Sequence, residues 1–193
     1  MSRDPWLVRW LPLLRERAVT EPVLELGCGR GADTAVLADA GLHVIAIDRS
    51  AEAIAEARKR VPVAEFHCQD IRAPFPPAAA DLGAVVASLS LHYFPWAETL
   101  TLAGRLRSVL RPAGVLLARL NSTGDHNHGA SGHPQIDERY YLVDGHPKRF
   151  FDHDDVTVLF ATGWRTLGIE ELVIQRYSLP KVVWEVVLAR SGA

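Results

Sequence analysis

Apolar residues in the first 120 positions follow two alternating rhythms: short near-continuous runs, and longer stretches with helical spacing. The short runs are "PVLEL" (22–26), "HVIAID" (43–48), "VAEFHCQD" (63–70), "LGAVVAS" (82–88) and "VLLARL" (115–120). Each has the length of a strand, and so little alternation suits strands covered on both faces of a parallel sheet. Between them, 32–40 reads as a helix stopped by Gly41. A second helix spans 50–60, with Ser50 as N-cap, Glu52 in the first turn and Arg58, Lys59 and Arg60 at the far end, charges that suit the helix dipole. A third runs over 96–111, with Leu102, Leu106, Val109 and Leu110 on one stripe. Upstream, 5–17 forms a helix with Trp6, Leu7, Trp10, Leu11 and Leu14 near one face, and Pro12 is expected to bend or split it. The crossover "IRAPFPPAAAD" between the third and fourth strands holds too many prolines for a helix.

The tail changes pattern. Residues 152–163 form a helix with Asp152 as N-cap, Asp155 as its box partner, Phe151 placed to meet Val156, and Gly163 as the stop. Two strands follow, about 167–177 and 182–190, too close in sequence for a crossover helix, so they pair antiparallel. The expected architecture is α/β: a Rossmann-like seven-stranded sheet, mostly parallel, ending in an antiparallel β-hairpin, with helices on both faces. One domain over 1–193 accommodates it. The stretch 121–150 stands apart as a polar, glycine-rich insert with four of the chain's eight histidines. It leaves the carboxyl end of the fifth strand, where ligands of open α/β sheets sit, so it reads as a lid or a surface loop. Within it, "YYLV" is a small strand or a turn.

Composition adds exclusions. Hydrophobic residues make up 48% and charged residues 23%, an ordinary globular balance. The formal charge of -2 weighs against a dedicated nucleic-acid binder. Cys28 and Cys68 are too sparse for an extracellular disulfide framework, which points to reduced thiols and a cytoplasmic protein. No run approaches the roughly 18 apolar residues of a membrane span, and Arg3, Asp4, Arg9, Arg15, Glu16 and Arg17 break any signal-peptide core. The oligomeric state stays open between monomer and homodimer.

The strongest chemical signal is "VLELGCGRG" at 23–31, which places Gly27, Gly29 and Gly31 between the first strand and the first crossover helix. Bare backbone there lets a ligand lie against the chain at a helix N-terminus. Asp48 ends the second strand, where a carboxylate can accept both ribose hydroxyls of an adenosine. Asp70 closes the third strand, placed to accept from an exocyclic amine while Ile71 backbone faces the ring. The glycine spacing is GxGxG, not the GxGxxG of dinucleotide binders, and Glu25 lies just upstream. An acid beside the loop disfavours a pyrophosphate and tolerates a ligand tail bearing its own positive charges.

With these residues in place, the chain resembles a class I S-adenosylmethionine-dependent methyltransferase of the small-molecule type, with the tellurite- or thiol-directed members as a finer comparison. "LELGCGRG" resembles that family's first motif, "VIAIDRS" its second strand and acid, "HCQDI" its third and "DLGAVVASLSLHYF" its fourth. The resemblance implies S-adenosyl-L-methionine as cofactor, S-adenosyl-L-homocysteine as product and a small-molecule methyl acceptor, with neither membrane nor nucleic acid as partner. It implies that Glu25 sits near the methionine end, with Gly27, Cys28, Gly29 and Gly31 lining the loop. Asp48 with Arg49 would hold the ribose, Asp70 and Ile71 would frame the adenine, and Ser88 would lie beneath the methionine portion. On the acceptor side, His92 follows the fourth strand as a candidate base or a structural histidine. Tyr141 and Arg149, where the insert rejoins the core, are candidates to face the substrate, Arg149 toward an acidic one. His126, His128, His133 and Asp125 match no compact metal-ligand pattern, and no metal is expected. Two other readings stay open: a non-catalytic regulatory protein that retains the cofactor fold, and an NAD(P)-dependent oxidoreductase.

Overall fold

The computed structural model describes residues 6–175 and 177–192. The first helix, α1 (Trp6–Arg17), runs unbroken through Pro12, so the expected split does not occur; its expected start at Pro5 lies outside the described residues. Then follow β1 (Val23–Leu26), α2 (Ala32–Asp39), β2 (Val44–Asp48), α3 (Ala51–Arg60), β3 (Glu65–Cys68), β4 (Leu82–Ser88), α4 (Trp96–Val109) and β5 (Leu110–Asn121). The closing elements are α5 (His153–Leu159), β9 (Trp164–Ile174) and β10 (Lys181–Arg190), with β6 (Gln135–Asp137), β7 (Tyr140–Val143) and β8 (His146–Arg149) inside the insert.

The main sheet has seven strands in the order β3-β2-β1-β4-β5-β10-β9. The five-strand segment is parallel, and the last two strands are antiparallel, as the short connection between them requires. Strand geometry divides the core. Leu24, Leu26, Ile45, Ile47, Val85 and Leu116 pack under α4 and α5. Their neighbours Val23, Val44, Ala46, Ala84 and Val86 pack against α1, α2 and α3. Alternate side chains of one strand reach opposite faces, so these short runs have to be apolar throughout.

The order reverses between β1 and β4, and the carboxyl ends of β1, β2 and β4 therefore meet at one rim, the place where open α/β sheets form a crevice. The crossover 69–81 between β3 and β4 contains no helix, as its prolines lead one to expect. Arg105 of α4 stabilises it instead, donating to the carbonyls of Arg72 at 2.8 Å and Ala73 at 2.5 Å and stacking on Phe75.

The insert is more ordered than its composition suggests. Its strands β6, β7 and β8 form a separate three-stranded antiparallel sheet. The β7–β8 turn is Asp144-Gly145, both at positive φ (51° and 76°), a two-residue hairpin between Val143 and His146. This sheet is docked on the core: the Tyr140 hydroxyl donates to the Tyr93 carbonyl at 2.9 Å. Among the described residues, no helix is long and apolar enough to cross a membrane.

Helix α5 begins with a full capping box. The Asp152 carboxylate accepts from Asp155 N–H at 2.8 Å, and the Asp155 carboxylate accepts from Asp152 N–H at 3.2 Å. Replacing Asp152 with Ala should remove about 1 kcal/mol, seen as a fall of roughly 2–4 °C in Tm. Asp152→Asn, which keeps an acceptor, should lose less. Equal melting of all three proteins would show that the cap contributes nothing.

Candidate active site

The rim is built by backbone hydrogen bonds before any side chain contributes. Gly27 N–H and Cys28 N–H both donate to the Ile47 carbonyl, at 2.8 and 3.1 Å, which turns the chain sharply off β1. Gly27, Gly29 and Gly31 take φ values of 71°, 53° and 74°, a region that residues with a Cβ adopt only under strain. Their surroundings differ. A Cβ on Gly27 would meet the Ser90 Cβ at 2.7 Å, and one on Gly31 would meet the Ala57 Cβ at 3.0 Å. A Cβ on Gly29 would meet nothing within 4 Å and would project into open space. The outer glycines thus let elements pack, while the middle one keeps a surface bare.

Asp48 ties this loop to the next helix. One carboxylate oxygen accepts from Gly29 N–H and the other from Ser50 N–H, both at 2.8 Å. Ser50 in turn caps α3 by accepting from Ala53 N–H at 3.2 Å. A carboxylate has about four acceptor positions, so two remain for a ligand after both backbone bonds. Glu25 is buried beneath the loop and accepts from the Thr34 hydroxyl at 2.5 Å. The Cys28 thiol is pushed up by burial, then by the carboxylates of Glu25 and Asp48, and stays neutral.

At β3, Ile71 is buried and Asp70 stands half-exposed. The Arg72 guanidinium holds Asp70 from one side, with Nη2 at 2.7 Å and Nε at 3.0 Å, and lowers its pKa. That engagement was not legible in the sequence. Arg49 is exposed just past Asp48. Ser88 closes β4, its hydroxyl buried and without a hydrogen-bond partner.

Beside this rim lies a cavity of about 280 Å³, walled by Ser88, His92, Asn121, Lys148, Tyr177 and Lys181, with Leu89, Tyr93 and His128 completing it. Elements from three regions converge: the end of β4, the insert and the start of β10. His92 is 3% exposed, and its Nδ1 and the Asn121 Oδ1 are buried without hydrogen-bond partners. Burial first, then the charges of Lys181 and Lys148, push the His92 pKa down to about 3, so its ring is neutral and a weak base. Lys181 is buried against Asp125 at 2.5 Å.

Two residues singled out from the sequence do not line this cavity. The Arg149 guanidinium donates to the carbonyls of Glu138 at 3.0 Å and Phe94 at 3.4 Å, and stacks on Tyr140 and Trp96. Tyr141 lies on the insert sheet with its ring 6.0 Å from Phe150. Side chains of adjacent strand residues point to opposite faces, so Lys148 reaches the cavity where Arg149 had been expected. His126 and His128 bond Ser131 and the Leu179 carbonyl, and no metal-binding cluster occurs among the described residues.

The fold is similar to that of solved S-adenosylmethionine-dependent methyltransferases. Residues 23–114 match the family model of a methyltransferase domain. Among curated proteins, the chain is similar to the trans-aconitate 2-methyltransferase of Azoarcus sp. (strain BH72), at 36% identity over 100 residues, covering 51% of this chain and 38% of that protein. It is also similar to the enzyme of the same name from Paracidovorax citrulli (strain AAC00-1), at 41% identity over 102 residues, covering 51% and 38%. The match therefore spans well under half the length of these relatives. Among solved structures, an S-adenosylmethionine-dependent methyltransferase from Methanosarcina mazei superposes with a TM-score of 0.78 at 16% identity, over 94% of this chain and 98% of that one, and shares the fold.

The depressed His92 pKa has a consequence for stability. Below the ordinary histidine value of 6.5, the unfolded chain takes up a proton that folded His92 refuses until about pH 3. The unfolded state thus binds more protons in that window, and stability falls as the pH drops, by about 1.4 kcal/mol per unit from this group. Urea unfolding between pH 7 and 4 should show this slope, and His92→Gln should flatten it. Imidazole NMR signals of His92 that titrate near pH 6.5 would contradict the assignment.

Proposed function

We propose that this chain transfers the methyl group of S-adenosyl-L-methionine to a small molecule bound in the cavity beside the glycine loop. The carrying observation is that one rim combines a bare glycine surface, the carboxylates of Asp48 and Asp70, and an adjoining cavity. Gly29 without a Cβ, at positive φ and facing open space, suits a ligand tail lying on the main chain. The spare acceptor positions of Asp48 fit a pair of ribose hydroxyls. Ile71 and Asp70 fit the adenine end, Arg49 flanks the ribose, and the unpartnered Ser88 hydroxyl fits the methionine end. The bound cofactor supplies an electrophilic methyl on a sulfonium.

The chain's own task is then orientation and exclusion of water, which can account for several kcal/mol of a barrier. His92 and Tyr93 wall the acceptor side, and residues 121–150 act as the roof of a single domain spanning 1–193. The GxGxG loop with buried Glu25 disfavours a dinucleotide, and an open acceptor cavity beside the rim favours an enzyme over a protein that has kept only the fold. His92, Tyr141 and Arg149 enter as residues that shape or support the acceptor site. Of these, His92 holds the wall, while Arg149 braces the insert through the carbonyls it bonds.

Calorimetry with S-adenosyl-L-homocysteine tests the reading. Wild-type protein should bind it, and Asp48→Asn should weaken binding at least about tenfold, the scale of one charge-assisted hydrogen bond. Circular dichroism should confirm that the variant is folded. Equal binding by folded Asp48→Asn would remove Asp48 from the ribose role. No binding by wild type would overturn the proposal.

A further inference from the structure

We infer that the cavity accepts an anionic small molecule and that the nucleophile is a carboxylate oxygen, held by the Lys148 ammonium. The inference deepens the proposed methyl transfer and rests on it. Its starting point is the charge inventory of the cavity wall.

None of the nine residues lining the cavity is acidic. Two are lysines, and they are not equivalent. Lys181 is neutralised by the buried Asp125 carboxylate at 2.5 Å, so that pair adds no net charge. Lys148, from β8 of the insert, has no hydrogen bond or ion pair among the described residues, and it is close enough to lower the pKa of both His92 and Lys181. The cavity therefore carries one uncompensated cation. A partly buried ammonium without a partner is unfavourable, and an incoming anion removes that penalty. A cationic acceptor would add a like charge beside both Lys148 and the bound sulfonium.

A protonated nucleophile makes a further demand on the wall. Phenols, alcohols and ammonium groups must give up a proton. His92 follows the end of β4, and its desolvated ring takes a proton only in strong acid, while the other imidazole of the wall, His128, has its Nε2 on the Leu179 carbonyl at 3.3 Å. Among the described residues, no carboxylate lines the cavity. A carboxylate is ionised throughout neutral pH and requires no base.

The step balances without further reagents. An oxygen lone pair of the carboxylate forms a new O–CH₃ bond as the S–CH₃ bond breaks, and that bonding pair returns to sulfur. The carboxylate anion becomes a neutral methyl ester, the sulfonium becomes a neutral thioether, and no proton moves. The cavity's volume of about 280 Å³ lies at the low end for small-molecule sites, which limits the acceptor to a compact acid.

The test uses protein saturated with S-adenosyl-L-homocysteine and three probes of matched length: succinate, its diamide and the corresponding diamine. Calorimetry should show succinate binding at least tenfold tighter than the diamide, with no binding of the diamine. Lys148→Glu should lower succinate affinity at least tenfold while leaving S-adenosyl-L-homocysteine affinity within twofold of wild type, and Lys148→Arg should restore most of the loss. With S-adenosylmethionine, kcat for methyl ester formation should be flat from pH 6 to 9. Tighter binding of the diamide or diamine, or succinate affinity unaffected by Lys148→Glu, would overturn the acceptor assignment while leaving methyl transfer standing. Failure of S-adenosyl-L-homocysteine itself to bind would overturn both.

Discussion

The Asp48 carboxylate is the constraint on which the rim depends. Its two oxygens accept from Gly29 N–H and Ser50 N–H, joining the loop after β1 to the start of α3 across the carboxyl end of β2. Hydrogen bonds to a charged acceptor are stronger than those between neutral groups, on the order of 1.5–3 kcal/mol. That bond offsets the strain and chain entropy of a loop held at positive φ at three glycines. It also fixes where the middle glycine faces. With Gly27 pressed against Ser90 and Gly31 against Ala57, the loop has little freedom to move without unpacking β4 or α3.

From that clamp, the rim and the cavity proposed as cofactor side and acceptor side follow different physical rules. The rim is mostly main chain: glycine backbone, strand ends and two carboxylates at the ends of adjacent strands. The cavity is assembled from side chains of the β4 end, the insert and the β10 start. The insert sheet is anchored to the core by the Tyr140 hydroxyl on the Tyr93 carbonyl and by Arg149 on the Phe94 carbonyl. Variation in the insert can therefore change what the cavity holds without touching the rim.

The same division explains what could be read from the sequence. Strand runs, the Ser50 and Asp152 caps, the glycine loop and Asp48 obey local rules of spacing and backbone conformation, so they were legible. The β5 strand begins at Leu110, five residues before its apolar run, because the chain turns straight from α4 into the sheet through Ala113 at φ 62°. No local pattern announces that. The insert sheet did leave a signal, Asp144-Gly145 between "YYLV" and "HPKR", outweighed by the stretch's overall polarity. The exchange of Arg149 for Lys148 at the cavity is a matter of strand face, which depends on how the insert docks. Arg72 on Asp70, and Arg105 on the 71–73 carbonyls, are contacts of flexible side chains with no local signature at all.

The central claim is that an adenosyl ligand lies along the rim formed by β1, β2 and β3. A crystal structure of the protein grown with S-adenosyl-L-homocysteine tests it most directly. The account requires the amino-acid tail over Gly29, both ribose hydroxyls on Asp48 with its bonds to Gly29 and Ser50 retained, and the thioether sulfur facing His92 and Lys148. A ligand seated anywhere else, or a rim that stays empty at saturating concentration, would contradict it.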